Sequence, residues 1–123
     1  MEIKELTRAE EQLMQVLWQL KSGFIKDIMV PLPEPKPAYN TVSTIVRILE
    51  TKGFVSHTAH GKSHEYYPII SKDEYQSFAT DKLMSGYFDN SVQHMFSYFV
   101  KKEKIDLKEA DEILKLIEKL KDK

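Results

Sequence analysis

The chain has 123 residues, enough for one domain or for a small domain with an appendage. Its hydrophobic fraction of 41% and charged fraction of 30% are typical of a globular protein and exclude a disordered one. No apolar run could span a membrane, no apolar segment follows Met1-Glu2-Ile3-Lys4-Glu5, and there is no cysteine. We therefore expect a cytoplasmic protein without disulfides and without direct membrane insertion.

The first two predicted helices lie within the N-terminal 30 residues. Thr7 and Glu10 have the spacing of a capping box, in which each side chain accepts a hydrogen bond from the backbone N–H of the other residue. Apolar residues at helical spacing follow, and Gly23 provides a stop signal. A short second helix, from about 24 to 30, ends before the four prolines of residues 31–37, because proline cannot continue a helix. We interpret this proline-rich run as a stiff connector.

A third helix, predicted from about 39 to 52 with Gly53 as its stop signal, is the main indication of function. Its apolar residues fall on one arc, and the opposite arc is polar, with a single arginine. Ser, Thr and Asn are poor helix formers, so a face rich in them favours close approach to bases and phosphates over plain exposure to solvent. The residues of this predicted DNA-binding face are Tyr39, Asn40, Thr41, Ser43, Thr44 and Arg47.

Two short strands are predicted at residues 54–58 and 64–69, which are rich in aromatic and β-branched side chains. The five residues between them predict a turn in which Gly61 takes a positive φ. Three helices followed by a hairpin with a basic tip is the order of a winged helix, a mainly α fold with a small β-hairpin (α+β). In that fold the third helix would enter the major groove, and Lys62 and His60 on the wing would face the phosphate backbone.

The charge distribution supports this interpretation only locally. The net charge of −1 does not by itself favour nucleic acid. Between residues 36 and 64, however, Lys36, Arg47, Lys52 and Lys62 face a single acidic residue, Glu50. This local excess is a weak electrostatic footprint of nucleic-acid binding.

Three histidines near the turn raise the question of a metal site. His57, His60 and His64 have spacings that would suit a metal ion on a helix, but on a hairpin we expect them to splay apart. The sequence contains no nucleotide-binding or hydrolase motif, and no nucleophile can be paired with a base. We therefore predict no enzyme activity, no metal and no cofactor.

Residues 71–123 predict a helical region that follows the winged-helix domain of residues 1–70. Ser71 and Glu74 form a second capping box, and Asp106 begins the last of three amphipathic helices. Three such helices in about 50 residues expose more apolar surface than so small a unit buries alone. A second copy would cover it, so we predict a homodimer. The predicted dimerisation residues are Tyr75, Phe78, Leu83, Val92, Met95, Phe96, Phe99, Ile113, Leu114, Ile117 and Leu120.

Several segments in a fixed order carry a resemblance to a known family. They are Leu6-Thr7-Arg8-Ala9-Glu10, Val16-Leu17-Trp18, the stretch from Asn40 to Phe54, and Gly61-Lys62-Ser63-His64-Glu65-Tyr66-Tyr67-Pro68. The sequence resembles the penicillinase-repressor type of winged-helix regulators, which includes β-lactamase, methicillin-resistance and copper-responsive repressors. The resemblance implies a dimeric repressor on a palindromic operator in double-stranded DNA. It also implies that the third helix contacts bases and phosphates of the DNA through Asn40, Thr41, Ser43, Thr44 and Arg47.

The resemblance also bears on how such a repressor is released. In the antibiotic-responsive members it implies a membrane-bound sensor metalloprotease, encoded nearby, that leads to cleavage of the arm at an Asn-Phe bond. The corresponding dipeptide here is Tyr98-Phe99, which lacks the Asn. Copper-responsive members use a cysteine-rich C-terminus. Because this chain has no cysteine, we do not expect release by copper.

Two alternatives remain open on the sequence alone. A winged helix does not by itself imply DNA binding, and the same fold serves in protein-interaction modules. Such a module would be expected to show an apolar third-helix face or an acidic wing. The other alternative is a DNA-binding regulator that senses a small molecule in a pocket between arm and wing.

Overall fold

The computed structural model describes residues 2–121 of the chain. Met1, in the N-terminal segment considered above, and Asp122 and Lys123, at the end of the predicted arm, lie outside the described residues. In the part that is described, the elements follow the order α1 (Arg8–Leu20), α2 (Ile25–Met29), α3 (Tyr39–Thr51), β1 (Val55–His60), β2 (Ser63–Pro68), α4 (Lys72–Tyr87), α5 (Val92–Lys101) and α6 (Leu107–Lys121). This mainly helical arrangement with one antiparallel hairpin confirms the predicted fold class.

The chain forms two compact units, Met1–Ala79 and Thr80–Lys123. The predicted domain boundary between residues 70 and 71 stays a prediction. None of the helices described in residues 2–121 combines the length and the hydropathy that a bilayer crossing requires.

The N-terminus of α1 is tied to the end of α3. The Thr7 N–H donates to Glu10 Oε1 at 2.8 Å and the Glu10 N–H donates to Thr7 Oγ1 at 3.2 Å, as the capping box predicts. Lys52 Nζ donates to the same Oε1 atom at 2.7 Å. Burial raises the pKa of the Glu10 carboxyl, but the hydrogen bonds and charge of Lys52, together with Thr7, outweigh it. The pKa is therefore lowered from its ordinary value of 4.5.

Removal of the lysine from this pair is expected to destabilise the fold. Lys52→Ala should lower the free energy of unfolding by about 2–3 kcal/mol at neutral pH, because Glu10 is only 5% exposed and would keep a buried charge without its cation. Since the folded-state pKa of Glu10 is depressed, its contribution is present above the ordinary value of 4.5 and is lost as the pH falls through the folded-state pKa.

Urea unfolding at a series of pH values between about 7 and about 3 measures this contribution. The matched variant Glu10→Gln has no titrating carboxyl at this position. Its free energy of unfolding should therefore fall less steeply with acid than that of the unmodified chain. Equal steepness in the two proteins would contradict the assignment.

The core of Met1–Ala79 is built from the apolar faces of α1, α2 and α3, closed by the wing and the start of α4. Its largest fully buried side chains are Phe54, Met14, Leu17, Ile28, Leu49, Val42, Val46 and Val55. Burying a side chain of this size contributes about 1.5–3 kcal/mol. The apolar arc predicted for the third helix therefore faces this core, which leaves the opposite arc to solvent.

Tyr75, one of the predicted dimerisation residues, packs into the core of its own unit. It was expected at the dimer interface, but it is 7% exposed and belongs to the core of Met1–Ala79. Its ring packs against Phe54 and Trp18, with centroids 5.6 and 6.1 Å apart, and its Oη accepts a hydrogen bond from the Leu6 N–H at 3.0 Å. Phe78, one turn later, is partly buried against the same core. The same chain covers most of the Tyr75 side chain, and a role for Tyr75 in dimerisation stays a prediction.

Backbone hydrogen bonds attach the wing to the rest of its unit through β2, away from the turn. β1 and β2 pair from Val55 opposite Pro68 to His60 opposite Ser63, so the turn is only Gly61-Lys62, shorter than the five residues predicted. Gly61 has the predicted positive φ, 63°. Gly23 and Tyr66 exchange backbone hydrogen bonds of 2.9 and 2.8 Å. The connection between α1 and α2 thus holds β2, and the two-residue tip projects beyond this anchor.

The unit Thr80–Lys123 contains the end of α4 together with α5 and α6. Met84 and Phe88 are its buried apolar residues, at 9% and 7% exposure, and the Phe88 ring packs near Tyr98 and Phe99. The predicted start of the last helix is confirmed, because Asp106 Oδ1 accepts a hydrogen bond from the Glu109 N–H at 2.7 Å. Neither Met84 nor Phe88 was among the apolar residues predicted to be buried in this region.

Candidate nucleic-acid interface

The outward face of α3 is exposed over most of its length. Asn40, Thr41, Thr44 and Arg47 are exposed, Tyr39 is 56% exposed, and Ser43 is half-buried. The helix is held in place by Val42, Val46 and Leu49, which are fully buried on its opposite side. All six residues of the predicted DNA-binding face therefore lie on one accessible helix.

Hydrogen bonds within α3 occupy several polar groups of this face and of Thr51, which follows it on the helix. Arg47 Nη2 donates to Ser43 Oγ at 3.2 Å, which steadies the guanidinium along the helix. Thr44 Oγ1 donates to the Asn40 carbonyl at 2.9 Å, and Thr51 Oγ1 donates to the Arg47 carbonyl at 3.1 Å. The two threonine hydroxyl hydrogens are thus directed to the helix backbone, as threonine hydroxyls within helices often are.

The four cations between residues 36 and 64 divide into two kinds. Lys36 Nζ donates to the carbonyls of Met29, Val30 and Leu32 and so closes the end of α2, while Lys52 is paired with Glu10. Arg47 and Lys62 are exposed. These two are therefore the cations of the set that are best placed to meet a phosphate or a base.

An open cleft of about 840 Å³ lies between α2, α3 and the wing. Both exposed cations line it, as does Lys26 of α2. His60, predicted to face phosphate, lies on its wall and contacts Glu65 Oε1 through Nε2 at 3.1 Å. The cleft is thus a concave, mainly basic surface, with Tyr39, Ser43 and Arg47 of the predicted DNA-binding face along one side.

Histidines on the wing connect it to α3 and correct the expectation that they splay apart. Antiparallel register sets His57 opposite Tyr66 and His64 opposite Ala59, which makes the two histidines diagonal neighbours on one face. Their rings stack at 4.0 Å, and His57 Nδ1 lies 2.6 Å from Glu50 Oε2 on α3. Burial, with the Glu50 carboxylate nearby, raises the pKa of the Tyr66 hydroxyl.

Among the described residues, no group of three or more His, Cys, Asp or Glu is arranged to hold a metal ion.

The predicted dimerisation residues of the second unit differ in exposure. Met95, Phe96, Phe99 and Ile113 are half-buried. Leu83, Val92, Leu114, Ile117 and Leu120 are between 43% and 67% exposed. Ala110, Ile113, Leu114, Ile117 and Leu120 lie on one face of α6, which we call the α6 stripe, and its last three residues are exposed. A helix with one apolar face is stabilised when that face is covered.

The Tyr98-Phe99 peptide bond lies inside α5. Tyr98 is 42% exposed, and α5 has no fully buried side chain along its length. A protease requires an extended segment, so cleavage at this bond needs local unwinding of α5.

Three helices and a hairpin that packs beside the third define a winged helix-turn-helix domain. The profile of the penicillinase repressor family matches residues 6–119. The chain belongs to this family.

Individual relatives agree with this assignment. The methicillin resistance regulatory protein MecI of Staphylococcus aureus strain N315 is 21% identical over 116 residues, which is 94% of each chain. The penicillinase repressor of Bacillus licheniformis is 20% identical over 122 residues, covering 98% of this chain and 95% of the relative. The solution structure of the DNA-binding domain of the repressor BlaI superposes with a TM-score of 0.52 at 25% identity, covering 60% of this chain and 92% of that domain.

Proposed function

We propose that this chain is a DNA-binding transcriptional repressor that acts as a homodimer on a palindromic operator. The observation that carries the proposal is one continuous surface, in which the exposed face of α3 and the exposed Lys62 of the wing border the same cleft. The names of its relatives, a penicillinase repressor and a methicillin resistance regulator, support the same function.

On this surface α3 enters the major groove and the wing follows the backbone. Arg47, held by Ser43, has the guanidinium geometry that recognises a guanine edge through two hydrogen bonds. Lys62, at the tip of the hairpin, meets a phosphate. The Glu50–His57 contact joins the two elements, so helix and wing approach DNA at a fixed spacing.

Lys62→Ala is expected to weaken binding to all DNA sequences alike. The lysine contacts a phosphate in this proposal, so its removal should reduce the slope of log affinity against log salt concentration by about one. Fluorescence anisotropy on operator and random duplexes over a salt series measures the slope. Lys36→Ala is the matched control, because Lys36 is committed to the carbonyls that end α2. An unchanged slope in Lys62→Ala would remove the wing tip from the interface.

Dimerisation is supported by the exposed apolar side chains of α6. Leu114 and Ile117 are 57% and 46% exposed on the predicted stripe. A second copy of the same helix is a self-complementary partner for such a face, as two-fold symmetric dimers require. The dimer would then present two copies of α3 to two half-sites.

For release from the operator, we propose cleavage of α5 at or near Tyr98-Phe99 by a sensor metalloprotease encoded nearby. The exposure of Tyr98 and the lack of a fully buried side chain in α5 support this site, because such a helix unwinds at low cost. This cleavage is tested by measuring the intact mass of the protein purified from cells before and after the repressed genes are switched on. Full-length protein that has left the operator would contradict cleavage and favour a small-molecule signal.

The function as a whole is tested by selecting bound fragments from total genomic DNA. A repressor is expected to enrich a small set of sites, with specific affinity at least about a thousandfold above non-specific binding. If folded protein enriches nothing, the proposal is wrong and a protein partner should be sought instead.

A further inference from the structure

The outward face of α3 is less polar than its sequence indicates. Ile48, which belongs to neither of the faces predicted for this helix, is 42% exposed. It lies one helical turn after Thr44 and three residues before Thr51, both of which are also exposed. At about 100° per residue these three residues share an arc of about 60°, opposite the buried Val42 and Val46.

The two threonines contribute apolar rather than donor groups to this arc. Their hydroxyl hydrogens are donated to the carbonyls of Asn40 and Arg47, at 2.9 and 3.1 Å. A hydroxyl bonded in this way has no hydrogen to offer a base, which leaves an acceptor lone pair and the γ-methyl. Together with the Ile48 side chain, these methyls form a narrow apolar strip, which we call the methyl strip (Thr44, Ile48, Thr51).

Arg47 lies beside the methyl strip and carries the positive charge of this face. Its guanidinium is hydrogen-bonded to Ser43, on the side of the helix that lines the cleft. The face therefore divides along its length into a cationic edge next to the wing and an apolar strip away from it. Glu50, the acidic residue of α3, lines the cleft with Arg47 and is not part of the strip.

We propose that the methyl strip reads the C5-methyl groups of thymines in the major groove, with Ile48 as its central contact. The C5-methyl is the apolar feature that the four bases present in that groove, and apolar side chains recognise it by contact. The inference rests on the proposed function, since it assumes that α3 enters DNA. It deepens that function by assigning an A·T preference to positions that α3 faces beyond the reach of Arg47.

Replacing thymine by deoxyuridine tests the proposal, because it removes the methyl and leaves base pairing unchanged. Each thymine of a selected operator is replaced in turn, and affinities are compared by competition anisotropy. For the unmodified protein, at least one replacement should cost about threefold to fivefold, the value of one buried methyl group. Ile48→Ala should bind the thymine and uracil versions of that site equally well.

Two further variants make the comparison specific. Thr44→Ser keeps the hydroxyl and removes only the γ-methyl, so it should lose discrimination at a neighbouring thymine. Ile69→Ala removes a similarly exposed isoleucine, 49% exposed but outside α3, and should discriminate like the unmodified protein.

The outcomes separate this inference from the function on which it rests. Specific binding in which no uracil replacement matters, or matters equally for the unmodified protein and Ile48→Ala, overturns the methyl strip alone. If the unmodified, folded protein binds no DNA specifically, the proposed function fails and the inference fails with it. In that case the apolar strip on α3 becomes the place to look for a protein contact.

Discussion

The double substitution Leu114→Asp and Ile117→Asp is expected to convert the dimer to a monomer and to lower operator affinity by at least about a hundredfold. Two aspartates on the α6 stripe would lie opposite their own copies across a two-fold interface, where unpaired charges are costly to desolvate. A monomer keeps one α3 and loses the second half-site, and with it an avidity gain of about 10²–10⁴. Sedimentation equilibrium should give the chain mass, 14.4 kDa, instead of twice that value.

The control for this experiment is Lys119→Asp. It changes the net charge by −2, as the double substitution does, but Lys119 is an exposed residue on the opposite side of α6. Lys119→Asp should remain dimeric and bind the operator. If the double variant is still a dimer of unchanged operator affinity, the interface does not lie on α6. The exposed apolar residues of α5 would then be examined next.

The second large effect is expected at Arg47. Arg47→Ala should lower affinity for the operator by about 5- to 150-fold, equivalent to 1–3 kcal/mol, and should relax base preference at one position of each half-site. The reason is that a bidentate contact to guanine supplies both energy and discrimination. Selection from a randomised operator library, repeated with the variant, measures both.

Arg47→Lys separates the two roles of this residue. Lysine keeps the charge but lacks the planar fork of donors, so it should retain part of the affinity and lose much of the preference for guanine. A loss that is uniform over all sequences in Arg47→Ala, with unchanged base preference, would assign Arg47 to a phosphate instead. The contacts of Ser43 with the guanidinium would then serve that phosphate geometry.

Local sequence signals predicted most of the first unit. Thr7 and Glu10 lie three residues apart, and the hydrogen bonds that define a capping box need nothing beyond that spacing. The apolar period of α3 and the Gly53 signal predicted that helix to within one residue. Gly61 marked the turn because a positive φ costs glycine little, although the strands extend closer to it than their composition suggested.

Contacts between distant residues could not be predicted in the same way. Lys52 contacts Glu10, which is 42 residues away in the sequence, and Tyr75 contacts Leu6, which is 69 residues away. No local sequence pattern therefore predicts either contact. The stacking of His57 on His64 depends on hairpin register, which the predicted five-residue turn had placed differently. The methyl strip could not be predicted from the sequence, where a threonine counts only as a polar residue. It depends on the carbonyls to which the hydroxyls of Thr44 and Thr51 donate.

Hydroxyl-radical footprinting of a selected operator shows directly whether two copies of α3 bind DNA as a two-fold pair. The proposal predicts two protected half-sites related by two-fold symmetry, with centres one helical turn of about 10–10.5 base pairs apart or a multiple of it. A single asymmetric protected region, or uniform protection along the fragment, would contradict it.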